Sequence, residues 1–240
     1  PASELLARIL KERRQKWEQD QLAAYAAKGK QPPKNWQSKY IEPAPPDTIL
    51  PELPKGWCWA TVEQLISYLR NGVSKKPSQT PPGHPILRIN AVRSMSVNME
   101  EVRYYDQPSE KVAGYFVEAG DLLFTRYNGS VDLLGVSGMV RDDAIPTLHP
   151  DKLIRVKTVL PELAPYVEIA SNVGVSRKHM VGRARTTAGQ TGISGADVRE
   201  MPIPLCPIPE QQQIKELVEQ QLTVIQKTDA QIASDLTRAA

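Results

Sequence analysis

Residues 201–211 read Met201-Pro202-Ile203-Pro204-Leu205-Cys206-Pro207-Ile208-Pro209-Glu210-Gln211, and two kinds of structure meet in them. Proline fixes φ and has no N–H, so Pro202, Pro204 and Pro207 at this spacing enforce an extended edge and exclude a helix. From Glu210 to Arg238 there is neither Gly nor Pro. The same stretch therefore starts a long helix, with Pro209 tolerated in its first turn and Glu210 placed to complement the helix dipole. A strand-containing domain is expected before it and a projecting helix after it.

Downstream, Ile214, Val218, Leu222, Ile225, Ile232 and Leu236 recur in steps of three and four, with Asp229 the one polar interruption. That is a narrow seam of the kind two helices share, not a fully buried face. At 1.5 Å per residue the helix is about 45 Å long, more than the preceding domain can cover, so it should project and pair with another helix, the plainer alternative being a terminal helix folded back on its own domain.

Upstream, short apolar runs alternate with Gly, Pro, Asn and Asp between about residues 53 and 207. Strands are expected over 85–92, 111–117, 121–126, 135–140, 153–156 and 201–205, with short helices over 61–69 and 161–173, Pro165 lying in the first turn of the latter. Before them the prolines at 32, 33, 43, 45, 46, 51 and 54 make an extended linker, and Leu5, Leu6, Ile9, Leu10, Trp17 and Leu22 give residues 3–28 a helical period. The fold class is mixed α/β, a β-rich α+β-like domain with a helical N-terminal extension. Its divisions are 1–52 for the helical extension and linker, 53–207 for the domain and 208–240 for the long helix.

A chain of 240 residues buries a real core without a metal or a disulfide framework. No apolar run approaches the ~20 residues that span a bilayer, so no membrane role is expected. Cys58 and Cys206 cannot form a thiol-metal cluster, and without a secretory signal they point to a cytoplasmic protein. The first residue is Pro1, which suggests a fragment or a processed product.

The net charge of +3 is unevenly spread. Residues 64–99 hold Arg70, Lys75, Lys76, Arg88 and Arg93 with no acid, and residues 169–196 hold Arg177, Lys178, Arg183 and Arg185 with no acid. The remainder carries 21 basic against 27 acidic residues, so the protein is an acidic body with two basic segments. Any one of these cations reads as solvated surface. Two acid-free windows together point to an anionic partner such as a phosphate backbone, although a small anionic ligand would satisfy the same charge count.

Catalytic constellations are missing by contrast. His84, His149 and His179 lack metal-ligand spacing and read as ordinary surface or core histidines. There is no phosphate loop, dinucleotide fingerprint or nucleophile elbow, and no metal site is expected. Cys58, between Trp57 and Trp59 on an expected strand, reads as an inert thiol, and Asp142-Asp143 as a turn. The turn at Pro54 and Gly56 is expected to deliver both Trp rings into the core.

Three local patterns are more specific: Leu53-Pro54-Lys55-Gly56-Trp57-Cys58-Trp59, then Gly120-Asp121-Leu122-Leu123-Phe124-Thr125-Arg126 leading to Asn128-Gly129-Ser130. The third is Thr186-Thr187-Ala188-Gly189-Gln190-Thr191-Gly192-Ile193-Ser194 followed by residues 201–211. In this order they resemble a target recognition domain of the specificity subunit of type I restriction-modification enzymes, over roughly residues 53–240. The resemblance implies a non-catalytic protein that recognises a sequence in double-stranded DNA. Its partners would be methyltransferase and restriction (translocase) subunits, and S-adenosylmethionine, ATP and Mg would be bound by those subunits and not by this chain. It also implies that the chain is one recognition domain of a two-domain subunit, cut on both sides. The 214–236 stripe itself points to self-association through the C-terminal helix.

The expected DNA-binding residues are Lys75, Lys76, Arg88, Asn90, Arg93, Arg126, Asn128, Arg177, Lys178, Arg183, Arg185 and Gln190, with Arg or Lys suited to guanine and Asn or Gln to adenine. The competing reading is a protein interaction module that uses the helix seam, its basic loops incidental. A third is a small hydrolase or transferase acting on a phosphorylated ligand.

Overall fold

The computed structural model describes residues 1–187 and 190–239. Helix α1 (Ala2–Ala27) leads through the linker to strand β1 (Cys58–Thr61), the one-turn helix α2 (Val62–Leu65) and strand β2 (Ile66–Asn71). Then come β3 (His84–Leu87), β4 (Val92–Arg93), β5 (Ser96–Val97), β6 (Val102–Tyr105), the one-turn helix α3 (Ser109–Val112), β7 (Leu122–Thr125), β8 (Ser137–Met139) and β9 (Leu153–Thr158). Helices α4 (Ala164–Ser171) and α5 (Gly174–Gly182), the hairpin of β10 (Arg185–Thr187) and β11 (Gln190–Gly192), helix α6 (Gly195–Arg199), strand β12 (Pro202–Leu205) and helix α7 (Ile208–Ala239) follow. Every pairing between these strands is antiparallel. The mixed, α+β-like class with a long helix at each end is the expected one.

The central sheet runs β2-β9-β7-β8. Strand β7 is Leu-Leu-Phe-Thr with all four residues buried. Leu122 and Phe124 enter the larger core with Val167 of α4 and Ile203 of β12, while Leu123 enters a second core with Leu87, Val92 and Leu153. A sheet covered on both faces needs such a continuous apolar run, not an alternating one. Ala2, Leu5 and Ile9 of α1 also belong to the larger core, so the helical extension is continuous with the domain at that point.

The prolines of residues 201–211 have a specific use. Among the described residues strand β12 pairs only with β1, Pro202 opposite Thr61 and Pro204 opposite Trp59. Its outer side thus carries no N–H at either proline, and the outward carbonyls are taken by hydroxyls: Ser176 Oγ donates to Pro202 O at 2.6 Å and Tyr166 Oη to Pro204 O. The start of α7 is pinned by Gln211 Nε2 donating to Cys206 O (2.7 Å) and by Trp57 Nε1 donating to Glu210 Oε2 (2.7 Å).

Several expected elements differ. The helix over 61–69 is a single turn closed by a Thr61–Gln64 capping box, after which Ile66, Tyr68 and their neighbours pair with β9 as β2. Beta-branched and aromatic residues prefer that pleated surface once a partner strand is present. The strand over 111–117 is α3 followed by a 3-10 turn at Ala113–Tyr115, because burying Val112 and Val117 needs no extended backbone. The helix over 161–173 is a 3-10 turn at Pro161–Leu163 followed by α4, with Pro165 in its first turn. Neither Trp ring sinks into the core: Trp57 is half-buried against it, and Trp59 Nε1 donates to Pro51 O (3.0 Å) of the linker. An indole N–H needs a polar partner, which holds both rings at the boundary.

Candidate nucleic-acid interface

Two adjoining clefts lie where the loop after β2, the turn after β3, strand β6 and the ends of β7 and β9 converge. One is lined by Ile89, Asn90, Tyr127, Asn128, Gly129, Lys152 and Thr191. The other contains Lys75, Lys76, Arg88 and Arg103 and shares Ile89, Asn90 and Lys152 with the first. The shared residues make them one groove. Five cations and the single carboxylate of Asp151 line it, so its potential is positive.

The turn that carries Asn90 is held from several sides. Arg88 N donates to Glu101 O (2.8 Å), Ala91 N to Arg88 O (3.0 Å) and Asn98 N to Ala91 O (2.8 Å), while Leu87 and Ala91 are buried. Asn128 sits in a tight turn: its Oδ1 accepts from Ser130 N (3.1 Å) and its own N donates to Thr191 O (3.3 Å). Tyr127 lies against Gly192, where a Cβ would stand 2.5 Å from Tyr127 Cδ1, so only glycine admits the ring. The Arg126 guanidinium stacks over the Tyr127 ring at 4.7 Å and donates from Nη1 to Asp151 O (3.3 Å).

Of the expected contact residues, Lys75, Lys76, Arg88, Asn90 and Asn128 line the groove. Arg126 and Arg185 line a neighbouring cleft with Tyr127 and Gly192. Arg88 is in part engaged, pairing with Glu101 at 3.0 Å, and Arg185 lies 3.7 Å from Asp197 Oδ1. Arg93, exposed on β4, and Lys178, exposed on α5, lie outside the groove, as does Arg183, which pairs with Glu200 at 2.9 Å. Arg177 is turned inward: its guanidinium donates to the carbonyls of Leu134, Val131 (3.0 Å) and Asp132 (2.8 Å) and so holds that loop. Gln190 starts β11, but its side chain lies outside the described residues, as does that of Leu236 on α7.

Arg103, Tyr127, Lys152 and Thr191 were not expected. Arg103 and Lys152 stand beside Glu101 and Asp151 in sequence, so a search for acid-free windows passes over them. Their placement opposite Ile86 in the β3–β6 ladder and just before β9 brings them to the groove.

Each histidine meets a polar neighbour of the fold. His84 Nε2 lies 3.2 Å from Ser109 Oγ, and His179 Nε2 lies 3.0 Å from Asp197 O. His149 is fully buried with Nδ1 2.7 Å from Tyr115 O. Burial pushes the thiols of Cys58 and Cys206 up, which suits inert cysteines. Among the described residues no group of three or more His, Cys, Asp or Glu is placed to hold a metal ion, and no helix is long and apolar enough to cross a membrane.

No protein-family model matches the chain. The type I restriction enzyme EcoKI specificity subunit of Escherichia coli K12 is 37% identical over 177 residues, which make up 73% of this chain and 38% of that protein. The EcoEI specificity subunit of Escherichia coli is 27% identical over 256 residues, covering 100% of this chain and 41% of its own. This chain therefore spans about two-fifths of the length of these curated relatives. A solved chain from work on complex assembly and conformational transition of the type I R-M system matches 99% of this chain and 54% of its own, with a TM-score of 0.51 and 15% identity, a likeness of fold.

Proposed function

The chain belongs to the type I restriction-enzyme specificity subunits, and from that premise we propose that its groove recognises a sequence in double-stranded DNA. The observation that carries this reading is the groove itself: Lys75, Lys76, Arg88, Arg103 and Lys152 line it together with Asn90 and Asn128. Cations neutralise phosphates and position a duplex, while side-chain amides match the donor and acceptor pattern of base edges.

In this reading the chain performs no chemistry. Methyltransferase and restriction subunits are its partners, and S-adenosylmethionine, ATP and Mg belong to them. Residues 53–207 act as the reading head, residues 1–52 as extension and linker, and the helix from 208 onward as the arm that meets partners. The compartment is the cytoplasm, where the DNA lies.

Binding to duplex DNA measured against salt tests the proposal. The logarithm of the association constant should fall linearly with the logarithm of salt concentration, with a slope near −0.9 for each phosphate neutralised. Lys75→Ala combined with Lys76→Ala should reduce the magnitude of that slope by about 2, roughly one per phosphate contact. A response flat in salt overturns the reading and leaves the helix seam as the functional surface.

A further inference from the structure

Resting on that reading, we propose that Asn90 is the residue that reads an adenine edge in the major groove, while the surrounding cations hold phosphates. The two asparagines of the groove are not equivalent. Asn128 has its Oδ1 committed to Ser130 N at 3.1 Å, so its amide is oriented by its own turn and offers chiefly the Nδ2 donors. Asn90 makes no side-chain hydrogen bond among the described residues, is exposed, and lies where the two clefts join. Both halves of its amide are therefore available together.

Reading adenine needs that combination. The major-groove edge presents the N6 amino donor and the N7 acceptor side by side, and one carboxamide satisfies both by accepting at Oδ1 and donating from Nδ2. A lone donor such as Lys or Arg cannot take a proton from N6, and a carboxylate cannot give one to N7. The reader must also be held still. The 88–91 turn is fixed by bonds from Arg88, Ala91 and Asn98 and by the buried Leu87 and Ala91, so Asn90 projects from a rigid support with only its own side-chain rotamers to order on binding.

The cations divide from it by the same reasoning. Lys75, Lys76 and Lys152 are exposed, and each offers a flexible point charge suited to a phosphate. Arg88 is already paired with Glu101 at 3.0 Å, which draws it from base reading.

The test is selection of binding sites by the full chain from a duplex library of random sequence, followed by affinity measurements on the selected site. Wild type, Asn90→Ala and Lys152→Ala are compared, each checked by its melting transition. Asn90→Ala should relax the preference at one A·T position by roughly 5- to 150-fold, with the salt slope unchanged. Lys152→Ala should keep the preference at every position and lower the magnitude of the slope by about 1. Asn90→Gln keeps both halves of the amide on a longer arm and should retain more of the A·T preference than Asn90→Ala.

An Asn90→Ala protein that selects the same bases as wild type overturns this proposal and leaves DNA recognition standing. So does one that loses affinity evenly for all sequences, since that marks Asn90 as a contact to the sugar-phosphate backbone; the slope stays as it was, because a neutral amide releases no counterion. A wild-type chain that enriches no sequence overturns the reading on which the proposal rests.

Discussion

His149 is fully buried with Nδ1 against the Tyr115 carbonyl, while its Nε2 has no partner among the described residues. Desolvation holds its pKa down at about 4, against an ordinary 6.5. Above pH 6.5 the folded and unfolded imidazoles are both neutral and the folded state keeps its full stability. As pH falls from 6.5 to 4, the unfolded chain takes up a proton that the folded one refuses, and stability drops by about 1.4 kcal/mol per pH unit, about 3 kcal/mol in all. Glu118 is held below its ordinary value, first by the hydrogen bond from Lys157, and so also loses stability on acidification, but in a lower window. Urea unfolding of wild type and His149→Asn at several pH values separates the two. The variant should lose the slope between pH 6.5 and 4.5, and an unchanged slope would assign the acid sensitivity elsewhere. The sequence shows His149 only as an isolated histidine between Leu148 and Pro150, and what reveals its burial is the bridge from Leu148 to Ile86 of β3.

At the level of elements, strand β8 is an edge of the four-stranded sheet, and Glu168 of α4 with Asn172 at its C-cap close that edge with side chains in place of a fifth strand. Glu168 Oε1 accepts from Met139 N (2.7 Å), Asn172 Oδ1 accepts from Ser137 N (3.1 Å), and Asn172 Nδ2 returns a bond to Ser137 O (2.9 Å). Glu168 is itself buried and pairs with the half-exposed Arg141 at 2.8 Å. Glu168→Ala should cost about 1–3 kcal/mol, because it strands a buried edge N–H. Glu168→Gln keeps the acceptor and should cost less, and equal losses on chemical denaturation would mean that the charge and not the edge bond matters. Elements set by local rules were legible in the sequence: β7 from its unbroken apolar run, β12 from alternate prolines, α1 and α7 from helical period. Elements set by a distant partner were not, as with β2, whose residues extend the capping-box helix until β9 claims them, or α5, whose Ser176 and Met180 are buried by contacts remote in sequence. The groove divides in the same way. Lys75, Lys76, Arg88, Asn90 and Asn128 stood out through charge or turn chemistry, while Arg103 and Lys152 were hidden by the acidic neighbours Glu101 and Asp151, of which folding pairs Glu101 with Arg88.

Taken whole, the molecule leaves most of α7 without cover. Gln211 is buried and Ile214 packs on the larger core, but beyond them Leu217, Val224, Ile225 and Ile232 are each more than half exposed. Leu217 and Val224 fall outside the seam expected from the sequence, yet they stand seven residues apart beside it and widen it on one side. A helix of 32 residues with a wide apolar stripe gains little from propensity alone, and most helical stability comes from packing that stripe. The same stripe repeated on a second copy supplies cover, since seams with matching spacing interdigitate. The chain should therefore associate as its concentration rises, seen as an increasing average mass in sedimentation equilibrium. Ile225→Lys combined with Ile232→Lys should hold it as a monomer while the melting transition of the domain stays where it was, because neither residue touches that core. A wild-type chain that remains monomeric at high concentration would show that α7 reserves its seam for a different helix. An association that survives both lysines would move the contact to another surface.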